Sequence, residues 1–334
     1  MKFILLGLAF MIIAVLVTAI YPFIIRETGE TAVIRIPANA TEEIVADTLR
    51  KYYGNKFANS VIMLVRLRSI DFSTRHGLYE IAAGNNALSV ARRISSGGET
   101  PVTITINGFR NFNLLCEKIA SKMDFSATEL KECIEDSTTL APYGLSPSQA
   151  LALFFDDSYQ IYWSASPKDL VKKIGSYYLS VWNPERRAEA DNLHLSPSEV
   201  MILASIVDEE SNAKAEKGTI GRLYINRFQR GMKLQSDPTV RFAVGDFTIK
   251  RIKSNHLKVD SPYNTYQHSG LPPGPIRTTS VSTIDLILKS SPNNYLYMCA
   301  KEDFSGTHNF ATNFEEHSKN ARKYREALNN RNIY

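Results

Sequence analysis

The chain of 334 residues has little of what metal, redox or nucleic-acid chemistry requires. Its 3 cysteines, Cys116, Cys133 and Cys299, are too few for a disulfide framework, which wants a dense and even set. No CxxC occurs and no Cys/His group has zinc-ligand spacing, so no metal is expected. Cys116 and Cys133 read as ordinary buried thiols, with pairing open to them if the domain lies outside the cytoplasm. A Gly-rich phosphate loop is missing too, and no organic cofactor is expected. There is no internal repeat and no low-complexity tract. With 44% hydrophobic and 22% charged residues, that excludes a chain disordered throughout. Charge of one sign is also scarce. The net charge is +5 and the basic residues are scattered, apart from pairs such as Arg92-Arg93 and Arg186-Arg187. A nucleic-acid binder gathers its charge on one face, so no nucleic-acid partner is expected.

One long apolar run is present. From Phe3 to Ile25 there is no charge, and only Gly7 and Pro22 interrupt. At 1.5 Å per residue such a run spans a hydrocarbon core of about 30 Å. A cleavable signal has a shorter apolar region, about 7–15 residues, closed by a small-x-small site. Val17-Thr18-Ala19 is a poor version of that site, and the run continues past it. Residues 1–26 are therefore expected to be a single-pass transmembrane anchor. Lys2 and the amino terminus oppose Arg26 across it, a weak positive-inside bias. The short flank and the long polar remainder suggest a short tail inside the cytoplasmic (inner) membrane and the bulk on the extracytoplasmic side.

After the anchor, Thr31–Pro37 alternates apolar and polar residues as a strand does. Thr41-Glu42-Glu43 opens a helix, 60–67 reads as helical, 77–82 as a strand, 87–94 as a helix and 101–106 as a strand. Residues 27–106 thus form a small α/β unit. Helices are predicted at 114–122 and 127–136, a loop at 142–147, and a further helix at 167–182. The expected fold class is α+β, with residues 107–334 a mixed helical and β domain.

The sharpest signals lie beyond residue 195. Ser196 is a good N-cap, Pro197 suits the first helical position, and Glu199 completes a capping box. On a wheel of the helix that follows, Val200, Leu203, Ile206 and Val207 form a stripe, and Glu210 falls near its centre. Asp208 and Glu209 fall to either side, toward faces expected to be exposed. Burial disfavours a charged carboxylate and raises its pKa, which suits a glycosidic general acid. A helix reaching solvent at an acid is the plain alternative. A second helix is read at 221–228, ended by Gly231. Asp237-Pro238 reads as a turn, around which Gln235, Asp237 and Thr239 offer amide, carboxylate and hydroxyl groups. Pro/Gly-rich loops carrying Tyr263, Asn264 and Tyr266 suit sugar binding, though the same residues also serve as turn punctuation.

These blocks, ILASIVDEES (202–211), LYINRF (223–228), GMKLQSDPTV (231–240), SPYNTY (261–266), GLPPGPI (270–276) and GTHNF (306–310), resemble in content and order the YceG-like (MltG) family of endolytic murein transglycosylases. The resemblance covers essentially the whole chain. It implies that Glu210 is the catalytic acid and base, since the family's acid is the second acidic position of a pattern like IVEKET. Asp208 stands where the family often has Glu. Asn226, Gln235, Asp237, Thr239, Tyr263, Asn264 and Tyr266 match groove-lining positions. His308 lies in a looser version of the family's terminal Gly-rich, His-containing stretch. The 27–106 unit resembles the family's LysM-like subdomain.

The implied substrate is the glycan strand of peptidoglycan. Cleavage falls at the MurNAc-β-1,4-GlcNAc bond and leaves 1,6-anhydro-MurNAc ends, terminating or trimming nascent strands, with wall-synthesis enzymes as companions. Two rivals remain. A lysozyme-like hydrolase would use Asp237 as a second carboxylate, and a non-catalytic scaffold would only bind glycan.

Overall fold

The computed structural model describes residues 28–249 and 251–331, with Met11 and Phe23 besides. The expected anchor over 1–26 lies, those two residues apart, outside the described residues. Among the described residues no helix is long and apolar enough to cross a membrane. The α+β expectation is met by helices interspersed with three two-stranded sheets among the described residues.

In order, the elements are β1 (Ala32–Ile36), α1 (Glu42–Arg66), β2 (Gly77–Ile81), α2 (Ala87–Ser95), β3 (Pro101–Thr105), α3 (Phe112–Ala120), α4 (Ala127–Glu135) and the short α5 (Ser137–Leu140). Then follow β4 (Ser158–Tyr162), α6 (Pro167–Val181), α7 (Pro184–Asn192), α8 (Pro197–Glu210), α9 (Lys214–Gln229), α10 (Asp237–Val244) and α11 (Val281–Leu288). The chain closes with β5 (Tyr297–Ala300), β6 (His308–Ala311) and α12 (Phe314–Asn330). Each sheet is one pair: β1 with β2, β3 with β4, β5 with β6.

Two compact units emerge. The first runs to Ile104 and takes in 121–125 and 160–166. Its antiparallel β1–β2 pair sets Ile34 opposite Tyr79, and Ile34, Ile36, Tyr79 and Ile81 bury one face. Against it pack Val45, Leu49, Phe57, Val61 and Val65 of α1 with Val90 and Ile94 of α2. The two helical stretches read separately in the sequence form one element, broken at Gly54, whose φ of 78° is open to glycine at little cost.

The second unit comprises 105–120, 126–159 and 167 onward. Its centre is α8, with every residue from Val200 to Asp208 buried. It packs against α7, α9, α10 and α11 and the 3-10 turn Pro147–Leu153. Enclosure on all sides corrects the expected exposure of Asp208 and Glu209. The wheel assumes one open face, and α8 has none. The helix read from Gly221 begins at Lys214 instead. Its internal glycine is there for packing: a Cβ at Gly221 would stand 2.7 Å from Ile287 Cγ1, so glycine lets α9 and α11 approach. Asp237-Pro238, read as a turn, begins α10, since proline is as much at home in a first helical turn. Cys116, Cys133 and Cys299 are all free, and burial pushes the Cys116 thiol up to about 12, where it is inert.

Candidate active site

α8 starts as its sequence predicts. The Ser196 hydroxyl accepts from the Glu199 N–H, and the Glu199 carboxylate accepts from the Ser196 N–H at 2.7 Å. From that fixed start the helix delivers three consecutive acids into three different settings. Asp208 accepts from Lys217 Nζ at 2.5 Å and from the Thr283 hydroxyl at 2.7 Å, and also from Thr279. Glu209, its side chain 5% exposed, accepts from Arg110 Nε at 2.8 Å and Arg277 Nη1 at 3.0 Å. Both are buried charges with charged partners, the condition under which burial is tolerable. They clamp the last turn of α8 to its neighbours.

Among the described residues Glu210 has no ion-pair partner. Its Oε1 accepts two hydroxyls, from Tyr224 on α9 at 2.5 Å and from Ser236 at 2.6 Å. Oε2 receives neither. Burial raises the Glu210 pKa, the Ser236 and Tyr224 hydrogen bonds work against it, and the net displacement is upward, helped by the negative charge of Asp237. The C-terminal end of a helix macrodipole acts in the same sense, because its partial charge is negative. Burial, and then the adjacent carboxylate, push the Tyr224 phenol well above its usual value, so it stays a donor.

Glu210 borders a cavity of about 420 Å³ whose wall includes Tyr224, Gln235, Asp237, Tyr266, Tyr297 and His308. Gln235 holds a left-handed backbone, φ 52°, uncommon for a residue with a side chain. Its N–H donates to Thr265 O at 3.2 Å, and its Oε1 accepts from Arg227 Nη2 at 2.6 Å. Asp237 accepts from the Tyr266 hydroxyl at 2.7 Å.

His308 enters from β6 and is tied down by Glu216. The Nδ1 atom lies 2.9 Å from Glu216 Oε1, and the His308 N–H donates to Oε2 at 2.9 Å. The Ser211 hydroxyl adds a third bond to Glu216 at 2.6 Å. Burial pushes the Glu216 carboxyl up, but Ser211 and His308 outweigh it, leaving the group an anion below its usual range. With Nδ1 held by a carboxylate, His308 is fixed in orientation against the cavity.

Of the residues predicted from sequence, Glu210, Gln235, Asp237, Tyr266 and His308 thus border one cavity. Three others sit in the scaffold. Asn226 Nδ2 donates to the carbonyls of Asn293 at 2.9 Å and Tyr295 at 3.0 Å. Thr239 is fully buried and bonded to Ser236 O and the Thr265 hydroxyl, both at 2.7 Å. Asn264, also fully buried, donates to Leu257 O at 3.0 Å and Val259 O at 2.8 Å. Tyr263 lines a different cavity. Sequence reasoning missed Tyr224, Ser236 and Glu216. The available signal for Ser236 was its place between Gln235 and Asp237; Tyr224 and Glu216 carried none.

An apolar helix ending in a raised carboxyl, at the edge of a polar and aromatic cavity, is the equipment of a general acid. Comparison with known proteins gives the lineage. The YceG-like family matches residues 34–323, and the chain belongs to that family. An endolytic murein transglycosylase of Bacillus subtilis (strain 168) is 25% identical over 323 residues, covering 91% of this chain and 88% of that protein. One of Streptococcus pneumoniae (strain D39) is 26% identical over 157 residues, 46% of this chain and 27% of that protein. A solved structure, a yceG-like protein of Listeria monocytogenes, shares the fold with a TM-score of 0.56 at 22% identity, covering 87% of this chain and 98% of that one.

Proposed function

We propose that this chain is an endolytic murein transglycosylase that cuts the MurNAc-β-1,4-GlcNAc bond of peptidoglycan strands with Glu210 as acid and then base. The observation that carries the reading is the Glu210 carboxyl, its pKa raised by burial, with the Tyr224 and Ser236 hydroxyls bonded to one oxygen only. Relatives bearing that activity in their names support the substrate.

The proton on Oε2 passes to the glycosidic oxygen, which leaves as the GlcNAc 4-hydroxyl as the bond to MurNAc C1 breaks. Tyr224 and Ser236 stabilise the carboxylate so formed, a preorganised donor pair aimed where charge develops. The MurNAc 6-hydroxyl then attacks C1, its proton returns to Glu210, and the 1,6-anhydro ring closes. No water is consumed, and the glutamic acid is regenerated. No metal or organic cofactor enters these steps.

A hydrolytic reading has one observation in its favour: Asp237 borders the same cavity, close enough for its charge to raise Glu210. Asp237 accepts the Tyr266 hydroxyl through Oδ1, and the chemical form of the new ends separates the two reactions. The scaffold reading leaves the raised carboxyl without a purpose.

Residues 1–26 would anchor the enzyme in the cytoplasmic membrane, with the catalytic unit outside and wall-synthesis enzymes as neighbours. The 27–106 unit would serve as a LysM-like glycan-binding module. Incubating the full-length chain with purified glycan strands and weighing the new ends tests the reaction. Anhydro ends, lighter than reducing ends by one water, are expected. Reducing ends would make the enzyme a hydrolase and Asp237 its second carboxylate.

A further inference from the structure

The second unit holds another cavity, of about 360 Å³, which includes Arg110, Asn111, Asn113, Phe242, Phe247 and Tyr263 in its lining. The three rings are packed on one another yet only half-buried. Phe242 lies 4.7 Å from Tyr263 and 6.3 Å from Phe247 between ring centres. Arg110 stands 5.5 Å over the Phe247 ring. Apolar rings left against water cost free energy that a ligand face would recover. The polar groups beside them are donors. Asn111 spends its Oδ1 on the N–H groups of Asn113 at 2.8 Å and Leu114 at 3.2 Å, which leaves its amide nitrogen as donor. Arg110 is already paired with Glu209, so the cavity is not an anion trap. Aromatic faces with amide donors and no spare charge suit an uncharged sugar ring, with its C–H face on the rings and its acetamido and hydroxyl groups on the amides.

Three elements join this cavity to the one at Glu210. In α8, Glu210 borders the first, while its neighbour Glu209 holds Arg110 of the second. In α10, Asp237 serves the first and Phe242 the second, about 7.5 Å apart along the axis at 1.5 Å per residue. In the loop ahead of residue 270, Tyr266 serves the first and Tyr263 the second.

We infer that the second cavity is a distal saccharide subsite, gripping the same glycan strand away from the bond that Glu210 cleaves. The inference rests on the proposed glycan substrate and adds to it a place where strand length is sensed. The test is calorimetric binding of β-1,4-linked N-acetylglucosamine oligomers of increasing length to the full-length Glu210→Gln protein, with and without Phe247→Ala. Affinity should rise with length in the parent. Phe247→Ala should leave the shortest oligomers unaffected and weaken the longest about 3- to 10-fold, the range for one aromatic contact. Phe247→Tyr keeps a ring and should restore the gain. Equal affinities at every length with or without the ring would overturn the inference, as would one uniform loss shared by Phe247→Tyr. Because binding is read, the result is separable from the chemistry. No anhydro ends from wild type, together with the length-dependent loss on Phe247→Ala, would defeat the catalytic reading and still support the saccharide site.

Discussion

Tyr224→Phe removes one hydroxyl from the wall of the Glu210 cavity and leaves the ring that fills the space. That hydroxyl donates to Glu210 Oε1 at 2.5 Å, beside the Ser236 hydroxyl at 2.6 Å. Both bonds favour the ionised carboxylate, opposing the burial that favours the acid. A hydrogen bond to a charged group contributes about 1.5–3 kcal/mol, and the charge on Glu210 appears only after proton transfer. Losing the bond should therefore slow strand cleavage roughly 10- to 150-fold. The pH profile carries the sharper signature. Removing a donor moves the Glu210 pKa further up, so the acid form persists to higher pH and the alkaline limb shifts upward with it. Initial rates of soluble fragment release across pH, wild type beside Tyr224→Phe, measure both effects. A lower rate with an unmoved alkaline limb, or one moved downward, would refute the assignment of Tyr224 to the Glu210 proton.

Two further outcomes follow from the charges around the site. Asp208→Ala leaves Lys217 with its ion-pair partner removed, both side chains being mostly buried at 16% and 6% exposure. It should cost about 3–5 kcal/mol, read as an early midpoint in urea. Glu216→Gln should lower the melting temperature at neutral pH by loosening His308 and β6. The Glu216 pKa is depressed in the folded chain, so its stabilisation is present above the unfolded pKa and is lost as pH falls through the folded one. The gap between wild type and Glu216→Gln should close in acid, and a gap of constant size at every pH would contradict a stabilising role for the ionised Glu216 carboxylate.

Local chemistry was the legible part of the sequence. The Ser196–Glu199 capping box fixes where α8 begins, and counting from it sets Glu210 at the far end. The strand alternation at 31–37 and 77–82 became the β1–β2 pair. What escaped was non-local. Glu209 is buried by Arg110, 99 residues back, and by Arg277, 68 residues on, pairings no helical wheel contains. Asn226 and Asn264 look like sugar ligands in a motif, but their amides are spent on backbone carbonyls of neighbouring loops. A buried segment of irregular backbone needs such donors, and sequence alone does not say which asparagines supply them. Tyr224 sits among the apolar residues of α9 and reads as core until the fold turns its hydroxyl toward Glu210.

In the proposed mechanism one carboxyl performs the whole reaction and water none of it. The most direct test is digestion of purified glycan strands in oxygen-18 water by wild type and Glu210→Gln, followed by mass spectrometry of the ends. The account predicts anhydro ends free of label from wild type and no new ends from Glu210→Gln. Labelled reducing ends from wild type, or cleavage that survives Glu210→Gln, would contradict it.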